Sequence, residues 1–368
     1  MAPVIKILAE SAIIKVITVV TAQHREMLDQ VLQIFNIEPQ YDLNIMKTEQ
    51  SITDITIKVL KGLQDILIKE QPDLVLVHGD TSTTFAASLA AFYRQIPIGH
   101  VEAGLRTYNK YSPYPEEINR KLTGGLADLH FAPTQTAKEA LLKEGVNPGS
   151  ITVTGNTVID ALLWTVKKDF YFDNPLLDKI DYQTQKVILV TTHRRENLGG
   201  PLGDIFNAIK EISFRNEAVE VVFPVHPNPK VRELAEEILG GLERVHLIGP
   251  MDYEPFVNLM NKCYLVLTDS GGIQEEAPAL GRPVLVLRET TERPEAVEAG
   301  TVKLVGTTRQ NIIKETDLLL RDYQEYEKMA KAVNPYGDGK AAERILQGVL
   351  SFFGLGEGTV EEFVWAFD

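Results

Sequence analysis

Apolar runs rich in β-branched residues alternate along the chain with stretches of helical period, the pattern of βα units that feed a parallel sheet. The runs predict strands at about 13–21, 73–79, 97–101, 129–132 and 151–154, then 186–192, 219–225, 244–248, 264–268, 283–287 and 302–305. Helices are predicted at about 24–35, 51–70, 82–93, 116–127, 134–144, 204–216, 229–240, 272–280 and 308–320. The stretch 167–185 has neither period and reads as a linker between two α/β halves. Leu74–Asp80 and Leu265–Asp269 echo each other as apolar strands that end in an acid and small residues before a helix. Ligands of open α/β sheets bind at such strand ends, so two facing turns would define a cleft. The same residues also serve as ordinary helix caps.

At 368 residues the chain is long enough for two cores, and 44% hydrophobic with 24% charged residues is an ordinary globular composition. The single Cys263 lies in an apolar run, which excludes a disulfide framework or a cysteine metal site and reads as a small buried thiol. A net charge of −14 repels nucleic-acid backbones and anionic membranes, so an anionic ligand must meet a local basic patch. The apolar N-terminus imitates a signal peptide, but Lys6, Glu10 and Lys15 interrupt it, and no stretch approaches the ~18 apolar residues of a membrane helix. A cytoplasmic protein is expected.

Asp269-Ser270-Gly271-Gly272 opens a helix, and paired glycines let backbone amides approach an anion at its positive end. Ser270 can add a hydroxyl, and Glu275 or Glu276 can accept from ribose hydroxyls. Basic residues in loops of the same half, His193, Arg194, Arg195, His226, Arg282, Arg288 and Arg293, suggest an anion-binding wall. In the first half Asp80 closes a strand, Glu102 follows another, and Glu116 starts a helix with Arg120 four residues on as its expected partner. Acids converging on one cleft would separate into protonated and ionised forms, as combined acid and base chemistry requires. No paired histidine spacing points to a metal, and neither a GxSxG turn nor a GxxxxGK[ST] loop is present.

The segments His78–Thr81, His100–Thr107, Tyr114–Arg120, Thr154–Asp160, His193–Asn197, Thr268–Pro278, Thr290–Glu295 and Asn334–Gly339 together resemble the non-hydrolysing bacterial UDP-N-acetylglucosamine 2-epimerases, from residue 1 to about 350. The resemblance implies the glycosyltransferase-B architecture: Rossmann-like domains at 1–166 and 186–335 facing across a cleft, and a helical segment at 336–368 returning to the first. It implies interconversion of UDP-N-acetylglucosamine and UDP-N-acetylmannosamine without a cofactor, through a 2-acetamidoglucal and free UDP. Asp80, Glu102, Glu116 and His193 then occupy catalytic positions, and Ser270, Gly271, Gly272, Glu276 and Arg293 bind UDP. Which carboxylate takes the proton is left open.

Some members carry a second, activating UDP-N-acetylglucosamine site, and Gln23, Arg194 and His226 match residues associated with it. Glu26 and Glu49 stand where some regulated members have Gln and Arg. The resemblance also implies a homodimer. Family members begin with a central strand and a Gly-Thr-Arg-Pro-Glu-Ala-Ile-Lys segment, whereas this chain opens at the Met-Ala-Pro that normally follows. Losing that strand leaves two neighbouring strands without backbone partners, at a cost above the usual ~5–15 kcal/mol margin. The expectation is therefore a misplaced or truncated start. A UDP-sugar glycosyltransferase and a non-catalytic nucleotide-sugar sensor are the competing readings of the same residues.

Overall fold

The computed structural model describes residues 1–368 apart from 24, 47–49, 357–359 and 366–368, with Arg195 described through its backbone alone. The chain forms two compact units, one from Met1–Ala161 with Tyr336–Val364 and the other from Leu162–Pro335 with Trp365. The segment 167–185 is not a linker but part of the second unit. Lys262 holds it there, with Nζ donating to the Phe170 carbonyl at 2.8 Å and lying over the rings of Phe172 and Tyr182. Its lack of period reflects anchoring by a few aromatic side chains instead of a continuous apolar face.

The second unit is built on one sheet with strands β7 (Lys186–Thr191), β8 (Val219–Pro224), β9 (Val245–Ile248), β10 (Leu265–Thr268), β11 (Val284–Val286) and β12 (Val302–Leu304), all parallel, in the order β12-β11-β10-β7-β8-β9. Helices on both faces bury β7 and β10 almost completely, which is why their sequences run as continuous Val, Ile and Leu with no alternation. Ile188, Val190, Leu265 and Leu267 meet Ile205, Phe206 and Ile209 in the main core.

The first unit carries β1 (Val19–Val20) paired with β2 (Tyr41–Asp42), and separately β3 (Val75–His78), β4 (Ile98–Val101), β5 (Leu129–Ala132) and β6 (Ile151–Val153) in the order β3-β4-β5-β6, again parallel. The long strand expected at 13–21 contracts to two paired residues. Among the described residues β1 pairs only with β2, and β3 only with β4. The apolar N-terminus is a helix, Ala2–Glu10, with Pro3 in its first turn. Its buried Val4 and Leu8 pack on Ile345 and Val349 of the C-terminal helix Ala341–Phe352, beneath Phe131 of β5. Asp160 caps that C-terminal helix from far away in sequence, accepting from the Ala342 and Ala341 amides at 2.8 and 3.2 Å. No helix among the described residues is long and apolar enough to cross a membrane.

Two left-handed residues follow β4. Glu102 has φ +62° and Gly104 φ +92°, and a Cβ on Gly104 would sit 2.3 Å from the Ala137 carbonyl oxygen. Gly104→Ala should therefore lower the unfolding free energy of the first unit by roughly 2–4 kcal/mol, through conformational strain plus a backbone clash. Denaturant titration followed by circular dichroism checks this, and an unchanged midpoint would contradict it.

Candidate active site

Strand ends position the acids of the first unit. Asp80 lies just beyond β3, where its carboxylate pairs with Arg120, at 2.9 Å from Nε and 2.6 Å from Nη2. Asn119 donates to the Asp80 carbonyl at 2.9 Å, so the helix Glu116–Leu126 grips this turn twice. Arg120 therefore pairs with Asp80, and at 3.4 Å with Glu117, and not with Glu116 as its spacing suggested. Glu117 is the acid sequence reasoning missed. It is fully buried and accepts from the amides of Thr107 and Tyr108, each at 3.0 Å, fixing the loop after β4. In a Glu-Glu pair at a helix start only one side chain can turn inward, and the sequence does not say which. Glu116 is left half-buried, without a hydrogen bond or ion pair among the described residues.

Glu102 is the most constrained of these acids. A side chain larger than glycine in the left-handed region costs about 1–3 kcal/mol unless its surroundings hold it there. Asn156 donates to one carboxylate oxygen at 3.3 Å, and His78 Nε2 stands 3.6 Å from the other. Gly79 makes room, since a Cβ there would lie 3.2 Å from Glu102 Oε2. Beneath them His100 Nε2 bonds the Gly79 carbonyl at 2.7 Å, and burial pushes the His100 imidazole down to about 4. Asp80, Glu102 and Glu117 thus each meet a different set of partners.

In the second unit the turn after β10 gathers the rest. Ser270 donates its amide to Thr268 Oγ1 at 2.9 Å, and Gln274 donates to the Ser270 carbonyl at 3.0 Å, so the turn is pinned from both sides. Gly271 and Gly272 have ordinary backbone angles; their service is the missing side chain, which leaves the start of the helix Ile273–Ala279 uncovered. Asp269 does not face that opening. Its carboxylate is wholly buried and accepts from Thr192 Oγ1 (2.8 Å), the Arg194 amide (3.0 Å), the His193 amide (3.1 Å) and Asn197 Nδ2 (2.9 Å). Burial alone would raise this carboxyl, but the bonds from His193, Arg194 and Thr192 outweigh it and hold it below the usual aspartate range.

The two glutamates that follow divide their roles. Glu275 is buried and takes the Arg293 guanidinium. Among the described residues Glu276 has no such partner, and burial with the Glu275 charge beside it pushes its carboxyl up to about 8. Tyr253 is a second residue the sequence gave no sign of. Its hydroxyl is buried without a hydrogen-bond partner among the described residues, and burial and the Glu276 charge raise it above the ordinary tyrosine range.

The anion-binding wall is narrower than the sequence suggested. Arg288 is locked between Glu196 (2.8 Å) and Glu292 (2.7 and 3.0 Å), and its hydrogen bonds hold the Glu292 carboxyl down at about 2. Arg282 donates to the Asn261 carbonyl, and the side chain of Arg195 is outside the described residues. His193, Arg194 and His226 remain near the turn. The imidazoles of His193 and His226 stack with centroids 5.9 Å apart, and Arg194 Nη2 lies 3.8 Å from where a Cβ on Gly271 would be. Gln23 belongs to the first unit, accepting from Thr83 Oγ1 at 3.3 Å. Glu49 lies outside the described residues.

Two α/β units on parallel sheets, with polar turns at their strand ends and an uncovered Ser-Gly-Gly turn beside histidine, define an enzyme of the glycosyltransferase-B fold class. The chain belongs to the UDP-N-acetylglucosamine 2-epimerase family, whose family model matches residues 6–350. It is 54% identical over 363 residues to the UDP-N-acetylglucosamine 2-epimerase of Bacillus subtilis strain 168, covering 99% of this chain and 94% of that protein. The Escherichia coli K12 enzyme of the same name is 54% identical over 358 residues, covering 95% and 94%. A crystal structure of the Neisseria meningitidis UDP-GlcNAc 2-epimerase bound to UDP-GlcNAc superposes with a TM-score of 0.82 at 52% identity, covering 95% of this chain and 96% of that one.

Proposed function

We propose that this chain interconverts UDP-N-acetylglucosamine and UDP-N-acetylmannosamine by eliminating UDP and adding it back. A base takes the proton from the sugar's second carbon while the anomeric C–O bond breaks and its electron pair leaves with UDP, giving a 2-acetamidoglucal. Re-addition returns UDP to the first carbon and a proton to the opposite face of the second. Asp80, Glu102 and Glu116 act on the sugar, and His193 acts at the diphosphate. Ser270, Gly271 and Gly272 receive the phosphates, while Glu276 and Arg293 serve the nucleoside end. The observation that carries this reading is Glu102, a carboxylate held on strained backbone beside His78 and Asn156, an arrangement that stability does not explain. An early break of the anomeric bond needs both a stabilised leaving group and carboxylates near a developing oxocarbenium ion.

The reading includes a cytoplasmic homodimer and a second UDP-N-acetylglucosamine site built from Gln23, Arg194 and His226. Incubation with UDP-N-acetylglucosamine in deuterated water tests the chemistry. Deuterium should enter at the sugar's second carbon without any acceptor, and UDP-N-acetylmannosamine should accumulate. Sugar transfer that appears only with an acceptor would point to a glycosyltransferase. Binding with neither exchange nor product would point to a sensor.

A further inference from the structure

Asp269 spends its whole bonding capacity on one loop. Thr192, the amides of His193 and Arg194, and Asn197 all come from the segment that follows β7, and that segment wraps the buried carboxylate. One further group reaches it. His193 Nδ1 stands 3.2 Å from Asp269 Oδ1, while 43% of the histidine side chain stays open to solvent. An ionised carboxylate can only accept, so the ring edge that faces it must carry a proton on Nδ1 whether the imidazole is neutral or charged. In the neutral ring the lone pair then sits on Nε2. The stacked neighbour His226 is fixed the opposite way, because its Nδ1 accepts from the Asn228 amide at 3.1 Å and its proton is left to Nε2.

We propose that Asp269 is a positioning residue that fixes His193 as its Nδ1–H tautomer and so makes Nε2 the atom that exchanges a proton or hydrogen bond with the substrate. The tautomer follows from the geometry around the carboxylate; only the use of Nε2 rests on the function proposed above. A fixed orientation of this kind matters because a ring with its proton on the wrong nitrogen can neither accept nor later return a proton at the working position.

Nitrogen NMR of the full chain labelled with 15N-histidine reads the tautomer directly, with the His193 signals identified by their loss in His193→Gln. Neutral His193 should be protonated at Nδ1 and His226 at Nε2. In Asp269→Asn an amide group turned toward the ring donates to Nδ1, so His193 should switch to the Nε2–H form. Turnover of UDP-N-acetylglucosamine should fall by about 10²–10⁴-fold with KM changed less than about threefold. Protonation of wild-type His193 at Nε2 would overturn the proposal, and so would an unswitched ring in Asp269→Asn. The wild-type spectrum decides the tautomer even where Asp269→Asn fails to fold. A protein with the Nδ1–H ring but no epimerisation in deuterated water would refute the functional reading and still support the tautomer, so the two failures are distinguishable.

Discussion

Replacing Glu102 by glycine should make the protein more stable and nearly inactive at once. The residue sits at φ +62°, where glycine pays no steric penalty and glutamate does, so the substitution should raise the unfolding free energy of the first unit by about 1 kcal/mol. The same change removes a carboxylate that the proposed chemistry places at the sugar, with an expected loss of about 10²–10⁴-fold in turnover. Glu102→Gln separates the terms: it keeps the shape and the Asn156 contact, leaves the backbone strain in place, and should lose activity to a similar degree. Thermal unfolding and the deuterium exchange assay measure the two effects on the same samples. A glycine variant that is less stable than wild type would show that the bonds to Asn156 and His78 outweigh the strain. Full activity in Glu102→Gln would remove Glu102 from the chemistry.

The first unit should also unravel on mild acidification, before most carboxylates titrate. His100 and His130 occupy register partners on β4 and β5, are 1% and 2% exposed, and burial pushes each of them down to about 4. His78 at the end of β3 is also driven well down by burial. In the unfolded chain these rings take protons near pH 6.5, so between about pH 6.5 and 4 the unfolded state binds more protons than the folded one. Stability then rises with pH across that window. It is intact above 6.5, falls as pH drops toward 4, and His100 and His130 together account for a loss of roughly 6 kcal/mol. Denaturant midpoints at pH 7, 5.5 and 4.5 should trace this decline, and His100→Asn should flatten it. A first unit equally stable at pH 7 and 4.5 would mean that the buried rings relax into water.

Much of this was legible in the sequence, and what was not has physical causes. The strand at 129–132 and the helix at 82–93 stand where periodicity placed them, because a buried parallel sheet leaves an uninterrupted apolar run and Thr81 caps the helix it precedes. The segment 13–21 has the same apolar character, yet only Val19 and Val20 pair, since a strand needs a neighbour and β-propensity does not supply one. The helix Tyr253–Lys262 was invisible as an element, and so was the partnerless hydroxyl of Tyr253 at its first position. The Ser270–Gly272 turn and the acids at strand ends could be named from residue type alone. Their pairing could not: Arg120 reaches Asp80 across 40 residues and passes over Glu116, four residues before it, a choice made by tertiary structure.

The C-terminal helix Ala341–Phe352 has a consequence for how the chain is made. It supplies Ile345 and Val349 to the core that also holds Val4 and Phe131, and its first amides are capped by Asp160. The second unit, nearly all of it the single stretch Leu162–Pro335, can close while synthesis is still under way. The first unit, though nearly half the chain leads with it, stays open until Ile345 and Val349 have been made, because they fill its interior. Until then Phe131 lacks the cover of Ile345 and Val349, so the half that is made first becomes whole only after the half that is made second.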